Sequence, residues 1–191
     1  FQGVELRSLG DGNPGAFASE PAHTQGERVR AVFRDAGIDL AGIGSGVRFD
    51  APIMPPVLGW VFSGRDASVR EGKRMVDLAH ECGAEFLRVY PLEVPRTPGE
   101  SRFTAIRRIC DRLENVCDHA RNRDVVVLIE NARDFSSAHD LDEIMRRVPS
   151  PSLGACYDLQ AGVAASDRPE DAVGLLGTRL RMVRVRDVRS V

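Results

Sequence analysis

Two strand-like segments of the chain each end in a carboxylate. Residues 125–129 read Val-Val-Val-Leu-Ile and are followed by Glu130, and residues 153–157 read Leu-Gly-Ala-Cys-Tyr and are followed by Asp158. A helical pattern separates the two segments, so they should form parallel strands of one sheet. Both carboxylates would then lie at the edge where α/β proteins place their sites. They could bind a metal or transfer protons, or they could pair with nearby arginines.

Several arginines of the predicted strands would surround the same edge. They are Arg7, Arg48, Arg88, Arg184 and Arg186. Guanidinium groups match phosphate and carboxylate, which indicates a pocket for a sugar phosphate or a sugar acid. The alternative is simple charge compensation, which we favour for Arg48 and Arg186. Arg88 shares a strand face with Phe86 and Tyr90, which makes it the strongest candidate for substrate contact. Glu5 is either a carboxylate of the pocket or a partner of Arg7.

Composition favours one soluble globular domain. The chain has 191 residues, 42% of them hydrophobic, and a formal net charge of -2. Without basic or acidic blocks, neither nucleic acid nor an anionic membrane is an expected partner. No apolar run approaches the roughly 20 residues of a membrane span, and no leader pattern opens the chain. The four cysteines lack C-x-x-C or zinc-like spacing. We therefore expect a cytoplasmic protein with reduced thiols.

Strand and helix patterns alternate along the whole chain. The predicted strands are residues 3–7, 41–49, 85–90, 125–130, 153–157 and 181–186, and the predicted helices are residues 24–36, 66–81, 101–122, 139–147 and 167–180. This order implies a parallel sheet covered by helices, either doubly wound or part of an eightfold barrel. Charged residues end six different strands, which favours the barrel, because an open sheet concentrates them at one switch point.

Two further features have competing interpretations. The glycines of Gly42-x-Gly44-x-Gly46 resemble a phosphate loop, but an extended pattern continues after them. We therefore favour small residues packing inside a tight barrel or sheet. Residues 50–64 form a long loop that contains Trp60 and Phe62. This loop is either a lid over a site, where the aromatic rings could stack on a sugar, or a packed hydrophobic flap.

Five segments resemble, in order, the strand motifs of a known superfamily. They are residues 3–7, 82–89, 128–137, 153–158 and 183–187. The chain resembles the xylose isomerase-like TIM-barrel superfamily, the sugar phosphate isomerase/epimerase group that includes endonuclease IV-like (AP endonuclease family 2-like) proteins. The resemblance implies an α/β fold, an incomplete (β/α)8 TIM barrel with strands two to seven present. It also implies a single domain over residues 1–191, truncated at both ends, since such barrels need about 250 residues.

The resemblance implies a divalent-metal site of manganese, magnesium or cobalt. Glu130 matches a metal ligand and possible base, and Asp158 matches a second ligand. Ala161 and Arg184, however, stand where the family often has histidines. The four histidines fall in predicted helices or loops away from these strand ends; they are His23, His80, His119 and His139. Arg184 cannot donate a lone pair, but it could replace the ion by pairing with both carboxylates.

Two functional hypotheses remain open. The first is an isomerase or epimerase acting on a small polyol, ketose or sugar acid by metal-assisted proton transfer. In that hypothesis Glu130 is catalytic, Glu130 and Asp158 bind metal, and the substrate is bound by Glu5, Arg7, Arg88 and Arg184. The second is a metal-free, non-catalytic relative that binds an anionic metabolite or acts as a scaffold. A nuclease is disfavoured, because a zinc cluster requires more histidines than this chain has.

Overall fold

The computed structural model describes residues 3–7, 22–51, 66–96 and 98–186, with the backbone alone for residues 22–25. The strands are β1 (Gly3–Leu6), β2 (Asp39–Arg48), β3 (Phe86–Tyr90), β4 (Val126–Glu130), β5 (Leu153–Asp158) and β6 (Leu180–Arg184). The helices are α1 (Ala22–Asp35), α2 (Ala67–Cys82), α3 (Arg102–Arg121), α4 (Ala138–Arg147), α5 (Leu159–Ala164) and α6 (Pro169–Leu176), and a 3-10 turn covers Gly177–Arg179. Trp60, Phe62 and the side chain of His23 lie outside the described residues.

The strands form one sheet in the order of the sequence. Each strand pairs in parallel with the next, from β1 to β6. A doubly wound sheet would reverse its strand order at a switch point, and no reversal occurs among the described strands. The sheet therefore forms a curled part of an α/β TIM barrel, as predicted, with the helices on one of its faces.

Helix boundaries follow from local capping chemistry. The Asp66 side chain accepts a hydrogen bond from the Ser68 N–H at 2.8 Å, and α2 ends at Gly83 in the left-handed region at φ 74°. Ser137 and Asp140 form a capping box at the start of α4. The sequence predicts a loop where helix α5 lies. Its six residues are too few to show helical periodicity, and it begins directly at Asp158, which caps it.

Alternate residues of each strand point to opposite faces of the sheet. The face toward the helices carries the main core, for example Leu87, Val89, Val127 and Ile129, all fully buried. The opposite face lines the inside of the barrel and carries the charged side chains described below. Apolar burial against the helices therefore holds the strands, and the strands hold the charged groups.

All four cysteines are free and buried. Burial raises the pKa of the Cys82 and Cys110 thiols to about 11 and that of Cys117 and Cys156 to about 12. The thiols therefore stay protonated near neutral pH and act as small packing groups. Among the helices that the structure describes, none combines the length and apolar composition needed to span a bilayer.

Candidate functional site: an arginine–carboxylate cluster

Arg88 lies at the centre of a charged group inside the barrel. Its side chain is only 1% exposed. One end of the guanidinium pairs with Glu5, with Nε donating at 3.0 Å, and Nη1 pairs with Glu130 and with the Tyr90 hydroxyl. Burial alone would lower the pKa of Arg88, but the hydrogen bond to Glu5 and the charge of Glu130 outweigh it and raise the pKa. Arg88 thus links β1, β3 and β4.

Gly44 makes the contact between Glu5 and Arg88 possible. Strand β2 lies between β1 and β3, so the Glu5 side chain must cross β2 to reach Arg88. A Cβ at Gly44 would overlap the Glu5 carboxylate and would lie 2.5 Å from Arg88 Nη2. At Gly42 a Cβ would lie 3.1 Å from the Cβ of Phe86. These glycines are packing positions inside the barrel, as the sequence predicted.

Glu130 ends β4, and each of its carboxylate oxygens is held by an arginine. Oε2 pairs with Arg88, and Oε1 accepts from Arg184 Nη1 at 2.5 Å. The Glu130 side chain is 4% exposed. The same Arg184 nitrogen lies 3.6 Å from Asp158 Oδ2, so Arg184 connects β4 with β5 from its position at the end of β6.

Asp158 ends β5 and divides its two oxygens between a helix and an arginine. Oδ1 accepts from the Ala161 N–H at 3.0 Å, at the start of α5. Oδ2 accepts from Arg186 Nη2 at 2.5 Å. The Asp158 side chain is 1% exposed, whereas that of Arg186 is 52% exposed. Asp158 therefore holds a solvent-facing cation from a fully buried position.

Asn131 fixes the relative position of Glu130 and Asp158. Its side-chain oxygen accepts from the Asp158 N–H at 2.6 Å, and its Nδ2 donates to the Asp158 carbonyl at 3.1 Å. The Asn131 residue is 1% exposed. The sequence motifs indicated no role for Asn131, although its place directly after Glu130 at a strand end is a signal of one.

These contacts form one continuous chain of alternating charge, which we call the arginine–carboxylate cluster. Its members are Glu5, Arg88, Glu130, Arg184, Asp158 and Arg186, in order of contact. Three guanidinium groups face three carboxylates, so the formal charges balance. The pairing of Arg184 with both carboxylates, one of the two sequence interpretations, is the arrangement observed.

The other predicted site residues lie outside the cluster. Arg7 is exposed and forms no ion pair within the described part of the chain. Arg48 pairs with Asp50 through two parallel hydrogen bonds of 3.0 and 2.8 Å. Charge compensation, favoured for Arg48 and Arg186, is what the structure shows. His80, His119 and His139 lie on α2, α3 and α4, as expected, and none contacts the cluster.

The cluster does not fit a divalent ion in this arrangement. Within residues 3–7, 22–51, 66–96 and 98–186, no group of three or more His, Cys, Asp or Glu side chains could hold a metal. Both Glu130 oxygens and both Asp158 oxygens already accept hydrogen bonds. The intervening arginines cannot act as ligands and would repel a cation.

Comparisons with solved structures find sugar-processing enzymes of the same fold. A xylose isomerase domain protein from Planctomyces limnophilus superposes with a TM-score of 0.69 at 18% identity, over 96% of this chain and 72% of that protein. A D-psicose 3-epimerase gives 0.71 at 15% identity, over 86% and 58%. The 3-keto-D-glucoside 4-epimerase of E. coli gives 0.72 at 15% identity, over 87% and 65%.

The chain thus spans only part of the length of these proteins, and at such identities the likeness shows the fold alone. No curated protein gives a significant sequence match. A family profile matches over residues 1–191, the whole of the chain. Together with the parallel strand order, this match shows that the chain belongs to the xylose isomerase-like TIM barrel family.

Proposed function

We propose that this chain is a metal-independent member of its family that binds a small carbohydrate carrying a carboxylate or phosphate group. The observation that carries the proposal is that each oxygen of Glu130 is held by a different arginine. A guanidinium at this place supplies the positive charge that the buried carboxylates need. The sugar-processing relatives support a carbohydrate ligand.

The exposed part of the cluster supplies the binding groups. Arg184 and Arg186 each use one nitrogen in the contacts described, so their remaining N–H donors meet no partner among the described residues. Their side chains are 19% and 52% exposed. Burial alone would lower the pKa of Arg184, but the Glu130 charge raises it, so the cation persists at every working pH. Free guanidinium N–H groups bind carboxylate and phosphate.

Arg88 has a different role in this proposal. From the sequence Arg88 is the strongest candidate for substrate contact, but its side chain is only 1% exposed. Its contacts reach Glu5, Glu130 and Tyr90. We therefore assign Arg88 to positioning Glu130, which in turn orients Arg184. Glu130 as a catalytic base and as a metal ligand stays a prediction, and this arrangement leaves neither of its oxygens free for those roles.

Isothermal titration calorimetry on the 191-residue chain tests the proposal. The titrants are manganese, inorganic phosphate and D-gluconate, with D-glucose as the uncharged reference. We expect the two anions to bind more tightly than glucose, and we expect no stoichiometric manganese binding. Weaker binding of both anions at higher salt concentration would support a guanidinium site.

A matched pair of variants decides between this proposal and the metal-assisted isomerase. Glu130→Gln removes a cluster carboxylate, and Asp142→Asn removes a buried carboxylate that pairs with Arg146 and Arg179 elsewhere. Stoichiometric manganese binding that is lost in Glu130→Gln and kept in Asp142→Asn would overturn the proposal. It would restore Glu130 as a metal ligand.

A further inference from the structure

We infer that Arg186 takes the anionic group of the ligand and that Asp158 occupies Arg186 as a built-in competitor until the ligand arrives. This inference rests on the proposed function and names the residue that discriminates among ligands. Arg186 was assigned only to charge compensation from the sequence. The ligand class is a small carbohydrate with one anionic group, which replaces the Asp158 carboxylate as the partner of Arg186.

The geometry of the Arg186–Asp158 pair is open on one side. Only Nη2 of Arg186 contacts Oδ2 of Asp158, at 2.5 Å. The Arg186 side chain is 52% exposed, and its remaining N–H groups meet no partner among the described residues. Arg184 contacts the same oxygen at 3.6 Å, which places the two guanidinium groups side by side. An anion arriving from solvent therefore meets two cations with unused donors.

A second pair at the same sheet edge shows what a closed arrangement looks like. Arg48 is 53% exposed and Asp50 is 3% exposed, nearly the same exposures as in the Arg186–Asp158 pair. Arg48, however, donates from Nε and Nη2 to both Asp50 oxygens. This bidentate pairing uses the fork that an anion would need. Exposure alone thus does not distinguish Arg186 from Arg48, and the bonding pattern does.

Asp158 can release Arg186 without moving. Its Oδ1 keeps the hydrogen bond from the Ala161 N–H, and its backbone stays tied to Asn131. Oδ2 keeps Arg184 at 3.6 Å, so the buried carboxylate retains a counter-charge. Exchange therefore requires only that the exposed Arg186 side chain turn to the ligand. The binding free energy of the anion is then the free energy of its contacts with Arg186 less that of the Arg186–Asp158 ion pair.

The test measures anion binding to the full chain with and without this competitor. Asp158→Asn keeps an oxygen for the Ala161 N–H, because Asn caps helices as well as Asp, but it removes the charge. We expect inorganic phosphate and D-gluconate to bind about three- to tenfold more tightly, since a partly exposed ion pair contributes about 1 kcal/mol. Arg186→Gln should weaken the binding of both anions by about tenfold or more, because hydrogen bonds to charged groups are stronger than those between neutral groups. The ratio of the dissociation constants of the parent chain for phosphate and gluconate shows which anion the site prefers.

Asp50→Asn is the matched control, because it removes the same charge from the closed pair at the same edge. It should leave the affinity of both anions within about twofold, because the amide oxygen can still accept from Arg48 and neither residue of this pair contacts Arg184 or Arg186 among the described residues. Equal tightening in Asp50→Asn and Asp158→Asn would overturn the inference, because general charge would then explain both. Unchanged affinity in Arg186→Gln would also overturn it, and this exposed substitution serves even where Asp158→Asn fails to fold. No anion binding by the parent chain would instead reject the proposed function itself.

Discussion

The two faces of the sheet contribute differently to the stability of the fold. On the helix-facing side, Val127 and Ile129 of β4 are fully buried among apolar neighbours. On the barrel side, the same strand presents Glu130, which is 4% exposed between two arginines. Apolar burial stabilises the first face in proportion to area. Buried ion pairs on the second face recover little beyond their desolvation cost, so that face specifies an arrangement more than it adds stability.

The largest expected effect comes from removing the central cation of the barrel face. Arg88→Met leaves Glu5 and Glu130 without a shared counter-charge and should lower the free energy of unfolding by about 3–5 kcal/mol. Urea unfolding followed by circular dichroism measures the change. Adding Glu130→Gln to Arg88→Met should recover part of the loss, since the cluster then again has as many guanidinium groups as carboxylates. A loss below about 1 kcal/mol for Arg88→Met would show that the cluster is not coupled as described.

A smaller effect is expected from adding a side chain to β2 at Gly44, where Glu5 crosses to reach Arg88. Gly44→Ala places a methyl group against the Glu5 carboxylate and Arg88 Nη2. Both are ends of flexible side chains, so we expect a loss of about 1–3 kcal/mol, the usual cost of overpacking. Thermal unfolding measures it. Gly174→Ala is the matched control on α6, where a Cβ meets nothing within 4 Å, and it should be neutral or stabilising. Equal effects in both variants would contradict the account of Gly44.

The smallest effect is expected on the helix-facing side. Ile129→Val removes one methylene from a fully buried position in the apolar core. It should lower the free energy of unfolding by about 0.5–1.5 kcal/mol. Anion binding should stay unchanged, because Ile129 points away from the arginine–carboxylate cluster. Urea unfolding measures the change in stability, and calorimetry with inorganic phosphate measures the affinity for the anion. A change in phosphate affinity would show that the two faces are coupled.

The fold could be read from the sequence largely because its signals are local. The apolar runs, the glycines after helices and the Ser137 cap each act within a few residues, and they predicted the alternation of strands and helices. The carboxylates at the ends of β4 and β5 followed from the same reasoning. Helix α5 escaped because six residues give no periodicity.

The pairing inside the cluster could not be read in the same way. Whether Glu130 meets a metal or a guanidinium depends on side chains from β3 and β6, which are brought together only by strand register. The Glu5–Arg88 contact also requires that β2 have no side chain at Gly44, a condition set by three strands at once. The residue types are compatible with a metal site and with arginine pairing. Only the positions of the strands show that Glu130 contacts arginines.

The most direct test of the account is where manganese goes in a crystal of the chain soaked in excess manganese. Anomalous diffraction at the manganese edge locates the ion without reference to any assumed ligand. The account predicts no anomalous peak within bonding distance of Glu130 or Asp158, with Arg88 and Arg184 still paired to Glu130. A peak between the two carboxylates, with Arg184 turned away, would contradict the claim that arginines hold this site.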